Sequence, residues 1–416
     1  MSVADNRHEV LAKLAGAEAA TRMRGIPSVC SAHPLVIEAA LRRGQRDGVP
    51  VLIEATCNQV NQEGGYTGMT PADFRAFVEG IAARLGFPLD RLILGGDHLG
   101  PNPWKALPAQ EAMLRAEGMV AAYVAAGFRK IHLDCSMGCS GEPAALDDEV
   151  TAGRAARLAG IAEQQSAQTG VSLVYIIGTE VPPPGGATHE IAELQVTSPA
   201  AVKGTLEVHR RAFAAAGVAA ALERVIGIVV QPGVEFGNAN VVLYRPEKAR
   251  DLSGALSNIP GLVYEAHSTD YQPEAALQAL VDDGFAILKV GPGLTFALRE
   301  ALYGLDAIGA ELGGGSRSLE PAMEALMLAH PQHWSSHYPG TPEEQRLQRH
   351  FSYSDRIRYY WPDAAAQSAV DAIMRRLDRR AIPETLISQY LARQYPAVVS
   401  GELAATPRDL CLAAID

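Results

Sequence analysis

Residues 92–104 read LILGGDHLGPNPW, an apolar run that ends on Asp97 and His98 before a proline-punctuated loop. An imidazole can ligate a divalent ion while a neighbouring carboxylate moves a proton, so the pair suits metal-assisted acid–base chemistry. Comparable groups close other apolar runs. Ser31 and His33 end PSVCS, Glu54 lies in VLIEA with Asn58 and Gln59 beyond it, and Asp134 closes KIHLD. Glu180 follows SLVYIIG, Gln231 follows VIGIVV, His267 follows GLVYEA, and Lys289 lies in FAILKV. Taken singly, each is commonly a cap or turn former for the segment that follows. A whole ring of them is harder to ascribe to caps. His98 and His267 could share one divalent ion with an oxygen donor from Glu180, Asp134 or Gln231. Such an ion would polarise a carbonyl or enediolate oxygen, with a nearby carboxylate as general acid or base.

Chemistry at those positions requires elements that bring them together. The runs are near-continuously apolar rather than alternating, which suits parallel strands covered on their outer face. Between them lie segments of helical period. In TPADFRAFVEGIAARLG, Thr70 is placed as N-cap, Pro71 at the first helical position and Gly86 as the stop. Eight such units fit a closed (β/α)8 TIM barrel better than an open dinucleotide-binding sheet. No G-x-G-x-x-G follows the first run. In a barrel the C-terminal strand ends share one mouth. At a strand terminus, where alternation breaks down, Asp97 and His98 can both reach it. Alternation puts His132 on the same face as Asp134, lining the interior. In LKVGPGLTFALREAL, Gly291 and Gly293 open a loop before a helix with Thr295 as its N-cap. That is either a phosphate cradle of backbone N–H groups or a plain glycine-rich turn.

The barrel is assigned to residues 1–310. Beyond GGGS (313–316) no strand-like run recurs, and 311–416 reads as an Arg-rich helical extension packed on the barrel. Within it, YSDRIRYYWP (353–362) could stack in a helix interface or bring an arginine over the mouth; packing is the simpler role. With 416 residues, 48% of them hydrophobic, the chain can bury a large core. A net charge of −11 argues against a nucleic-acid surface. No 18-residue apolar run predicts a membrane span, and the N-terminus lacks an apolar signal core, so a cytoplasmic protein is expected. Five scattered cysteines make no disulfide framework. Cys135 and Cys139, at C-x3-C spacing without a second pair, read as small reduced residues.

GGDHLGPNPW, HLDCSMGC, GTEVPPPGG, VVQPGVEFG, EAHSTDYQ and FSYSDRIRYYWP together resemble the Z-type subunit family of class II D-tagatose-1,6-bisphosphate aldolases, over nearly the whole chain. The resemblance implies a fold similar to the zinc-dependent class II aldolase barrels. It implies a proton-transfer role for Asp97, metal ligation by His98 and His267, and a strand-five carboxylate, Glu180, near the metal. Where those enzymes carry a third zinc histidine after strand six, this chain has Gln231, a weaker zinc ligand. The metal implied is therefore Zn, or a harder ion such as Mn, Ni or Mg, with Asp134 as a further oxygen donor. Ser31, Glu54, Asn58, Lys289, Gly291, Gly293 and Thr295 are left to hold a ketohexose or its phosphate. The family is usually described as a non-catalytic partner of a separate catalytic aldolase subunit, and some relatives epimerise ketohexoses at C4. Two readings stand: retro-aldol or 4-epimerase chemistry between C3 and C4 of a ketose, with Asp97 and Glu180 as the catalytic groups that shuttle protons, or a silent stabilising subunit. An oligomer is expected in either case.

Overall fold

The computed structural model describes residues 7–14, 25–178, 194–313, 315–378 and 380–416. Each apolar run forms a strand. Strands one to eight are Ile26–Val29, Val51–Thr56, Leu92–Leu99, Lys130–Leu133, Val174–Ile177, Val225–Val230, Val263–Ala266 and Phe285–Val290. All pair in parallel with their sequence neighbours. Strand one closes the barrel on strand eight, with Ile26 opposite Ile287 and Val29 opposite Val290. Strands three and six are buried along their whole length, which is why their sequences are apolar on both faces.

The helices between strands begin and end on local signals. At Pro71–Leu85, Thr70 Oγ1 accepts the Asp73 N–H at 3.3 Å while Asp73 Oδ2 accepts the Thr70 N–H at 3.0 Å. This capping box satisfies two donors that the first turn leaves without partners. Gly86, at φ 66°, ends the helix in the left-handed conformation that a side chain would disfavour.

Inside the barrel the residues lie in layers. At the base, the N-terminal helix Arg7–Leu14 inserts Leu11 and Leu14 into a cluster with Ile26, Leu52, Val174 and Ile287. Above that apolar plug the inward positions turn polar, and at the C-terminal ends they become the site.

The last barrel helix, Pro292–Gly313, runs across residue 310 without a break. Its Leu298, Leu305 and Ile308 share one apolar cluster with Met323, Ile373 and Leu410 of the C-terminal segment. Asp306 accepts the N–H groups of Ser318 and Leu319, at 2.7 and 2.8 Å, at the start of the next helix, Leu319–Ala329. The helical extension therefore packs against the closing edge of the barrel. Among the described residues, no helix is long and apolar enough to cross a membrane.

Leu11 is fully buried in the base plug. Leu11→Ala should lower stability by about 2–5 kcal/mol, the usual range for a buried leucine, read as a lower urea midpoint with unchanged far-UV circular dichroism.

Candidate metal centre

The Asp97–His98 pair is built by a defect in strand three. Pairing with strand four shifts register between Gly96 and Leu99, and His98 takes φ 50°. A left-handed residue inside a strand breaks the alternation of side chains, so both neighbours turn inward. Gly95 precedes them because the Glu54 side chain crosses its face, where a Cβ would collide with the carboxylate.

Three imidazoles converge there, from strands three, four and seven. Ring centroids of His98, His132 and His267 lie 4.8, 4.9 and 5.4 Å apart. Each ring has one nitrogen committed to an acceptor. His98 Nδ1 is 2.8 Å from Asp134 Oδ2, His132 Nε2 is 3.2 Å from the Gly178 carbonyl, and His267 Nε2 is 3.0 Å from Glu265 Oε1. Donation to those oxygens fixes each tautomer and leaves the opposite nitrogen of His98 and His267 facing inward, the arrangement found in histidine metal sites, whereas His132 Nδ1 accepts the His98 backbone N–H at 3.2 Å. Asp97 completes the group, with Oδ1 2.9 Å from His132 Nδ1 and Oδ2 3.6 Å from His98 Nε2. Ligand atoms of Asp97, His98, His132 and His267 all lie within 4.8 Å of one another.

Beneath the imidazoles is a buried charge network. Lys130 Nζ bridges Glu54 Oε1 at 2.7 Å and Glu265 Oε2 at 2.8 Å, and all three residues are fully buried. Lys289 ion-pairs Asp97 and lies 3.8 Å from Glu54 and 3.9 Å from Glu265. Burial alone would raise the Glu265 carboxyl, but Lys130 and His267 hold it well below the usual range. Glu54 is likewise held down against burial, by Lys130 and then Lys289. Burial lowers His132 and His267 to about 4, so both rings are neutral at pH 7. Four carboxylates, those of Glu54, Asp97, Asp134 and Glu265, thus face two ammonium groups. At ordinary ionisation this leaves an excess of two negative charges in a dry interior, where unpaired charge is costly. A divalent cation held by imidazole and carboxylate fits both the donor set and the charge.

Other expected residues take different places. Asp134 lies behind His98, and its Oδ1 accepts the N–H and hydroxyl of Ser136, so it orients the ring. Gln231 Oε1 accepts the N–H groups of Gly233 and Val234 at 2.8 and 3.0 Å. Both lone pairs of that amide oxygen are thereby engaged in capping a turn. Glu180 falls outside the described residues. Asn58 is exposed, whereas its neighbour Gln59 is buried and donates to the Cys30 carbonyl at 3.3 Å. Ser31 is buried and lines a cavity of about 590 Å3 with His33, Gln59, Gly291 and Thr295. Glu54 and Lys289 belong to the charge network. Thr295 is not an N-cap: the helix starts at Pro292, and Thr295 Oγ1 donates to Asp355 Oδ2 at 2.6 Å. The cradle of Gly291 and Gly293 is already filled, since both N–H groups donate to Asp270 Oδ1, at 2.9 and 2.6 Å.

Sequence reasoning left Lys130, Glu265, Asp270 and Glu235 unassigned. Strand alternation could have found the first two, which lie two residues before His132 and His267. Glu235, buried beside Ser268, is raised to about 7 by burial. Among the described residues, His98, Ser268, Tyr271 and Asp355 are the non-glycine residues with positive φ. Such strained backbone concentrates at functional sites.

Fold and centre together define a parallel (β/α)8 barrel with a histidine–carboxylate site at its C-terminal mouth. Residues 11–416 match the D-tagatose-1,6-bisphosphate aldolase subunit GatZ/KbaZ-like family, and the chain belongs to it. It is 56% identical over 410 residues to the D-tagatose 6-phosphate 4-epimerase of Agrobacterium fabrum, covering 98% of this chain and 96% of that protein. It is also similar to the crystal structure of a probable tagatose 6 phosphate kinase from Sinorhizobium meliloti 1021. That likeness has 60% identity and a TM-score of 0.88, covering 94% of this chain and 97% of the other.

Lys130→Met leaves Glu54 and Glu265 buried without their shared cation, and breaking such a pair costs about 3–5 kcal/mol. The wild-type carboxylates have folded pKa values below their unfolded ones, so their contribution is present above about pH 4.3 and lost as pH falls. The variant's deficit in urea unfolding should therefore be largest near pH 7 and shrink towards pH 4.

Proposed function

We propose that the chain is a divalent-metal-dependent epimerase that inverts C4 of a ketohexose phosphate through reversible cleavage of the C3–C4 bond. The observation that carries this is the set of three imidazoles, each held through its far nitrogen, closing on Asp97 in a pocket with excess negative charge. The activity named for the 56% identical relative supports tagatose 6-phosphate as substrate.

A bound ion would supply Lewis acidity towards the ketose carbonyl and its neighbouring hydroxyl oxygen. His98 and His267 would hold it, joined by His132 when its Nδ1 exchanges the His98 backbone N–H for the ion, and imidazole donors favour Zn or Ni over Mg. Asp97 accepts the proton of the C4 hydroxyl. The C3–C4 bond breaks, its electron pair passes to the three-carbon half as an enediolate, and C4 becomes an aldehyde. When that aldehyde presents its other face and C3 re-attacks, Asp97 returns the proton to O4 and C4 is inverted. Lys289, paired with Asp97, orients the carboxylate. Escape of the aldehyde half instead would give aldolase chemistry from the same groups.

Two other readings are weaker. A silent subunit was suggested by Gln231 in place of a third histidine, but His132 brings a third imidazole from strand four. Phosphoryl transfer would call for a glycine cradle for nucleotide phosphates, and the N–H groups at Gly291 and Gly293 are given to Asp270.

Chelator-treated protein should not interconvert D-tagatose 6-phosphate and D-fructose 6-phosphate, and restoring Zn, Mn or Ni should bring the reaction back. Asp97→Asn should lower kcat by about 10²–10⁴-fold, the usual contribution of a positioned acid–base group. A metal-loaded protein inert towards both sugars would count against the epimerase.

A further inference from the structure

We infer that the substrate's phosphate is held by Arg358, in the cavity between the strand-one mouth and the C-terminal helices, and not at the start of helix Pro292–Gly313. This deepens the reading above and rests on its ketose phosphate substrate.

Barrel enzymes commonly bind phosphate on backbone N–H groups after strand eight. Here Asp270 Oδ1 takes the N–H groups of both Gly291 and Gly293. The carboxylate is 3% exposed, and it sits close enough to Gly293 that a Cβ there would lie 2.9 Å from Oδ1. Glu235 reaches Ser268 on the same side. This part of the mouth carries its own anion and presents acidic groups to any other.

Arg358 stands within Coulombic reach of Asp270, in a cavity that Arg84 and Arg408 line together with Glu38 and Asp371. Arg358 lines the cavity with Ser31, Gln59, Tyr66 and Thr67. Its guanidinium donates to the Ser354 and Asp355 carbonyls at 2.5 and 3.1 Å, donates to the Tyr359 hydroxyl at 3.1 Å, and stacks 4.5 Å over the Tyr359 ring. All of these partners are neutral. Among the described residues, no carboxylate lies within ion-pair distance of it; the nearby Asp355 carboxylate is engaged by Thr295 and Arg299. A guanidinium held in place by neutral acceptors keeps its full charge for a ligand, and its planar fork matches a phosphate monoester. The cavity also leads to the reacting centre. Cys30 forms part of its wall, and Cys30 Sγ lies 3.8 Å from Asp97 Oδ2. A volume of about 590 Å3 accommodates a hexose phosphate.

The test is calorimetric titration of full-length protein with D-tagatose 6-phosphate and with unphosphorylated D-tagatose. Arg358→Met should weaken the phosphorylated sugar by about 10- to 100-fold, the equivalent of losing charge-assisted hydrogen bonds, while D-tagatose affinity moves less than threefold. Arg358→Lys should recover part of the loss. Should Arg358→Met fail to fold, Ser31→Asp places a carboxylate in the same cavity, keeps the arginine, and should produce the same selective loss. Asp270→Ala, which empties the glycine cradle and removes an acid that acts on Arg358, should not weaken tagatose 6-phosphate binding. Equal losses for both sugars on changing Arg358 or Ser31, or a selective loss for the phosphorylated sugar in Asp270→Ala, would overturn the assignment. Binding is read without turnover, so a protein that binds the phosphate through Arg358 but does not epimerise it sinks the epimerase reading alone.

Discussion

Everything at the mouth depends on one buried ammonium. Lys130 sits in the barrel interior between Glu54 and Glu265, and through Glu265 it fixes His267. Without a cation there, two carboxylates could not be buried side by side, and the imidazole above them would lose its orientation. The network reaches strand three through Lys289 and Asp97, and the same strand presents His98. The site is thus the exposed end of an ion-paired column whose lower end is the apolar plug around Leu11 and Leu14. Polar and apolar layers follow each other along the same inward-facing positions.

Much of this is legible in the sequence. The eight strands announced themselves as apolar runs because parallel barrel strands are covered on both sides. Asp97, His98 and His267 were legible because strand ends in this fold share one mouth. What escaped was the division of labour. Asp134 and Gln231 have ligand chemistry, yet one orients His98 and the other caps a turn, a distinction that depends on angles rather than residue types. Lys130 and Glu265 lay on the correct face but below the mouth, where a charged residue is not expected until its partners on other strands are known. The left-handed turn at His98 has no glycine to mark it. Thr295 reads as a helix cap in one dimension, and only its bond to Asp355, sixty residues away, shows it tying the extension to the barrel.

That tie brings the extension to the rim of a candidate metal centre whose imidazoles all come from the barrel. Its segment around Tyr353 and Asp355 bonds to Tyr271, Thr295 and Arg299 at the rim. Helical packing alone would have braced the barrel from outside; the rim contacts instead bring arginine and tyrosine side chains to the edge of the reaction space. The cavity beside strand one thereby gains an arginine, while the buried carboxylates of Glu235 and Asp270 lie near strand seven.

The plug at the base has a kinetic meaning. Among the described residues, Leu11 and Leu14 fill the end of the barrel away from the site, so on the proposed chemistry a fragment released by bond cleavage would leave past the groups that brought it in. Under such confinement an aldehyde fragment would be far more concentrated than in bulk solvent, and recombination would compete with escape. On the proposed chemistry, inversion or splitting of the sugar would then be decided by how fast the fragment rotates against how fast it leaves.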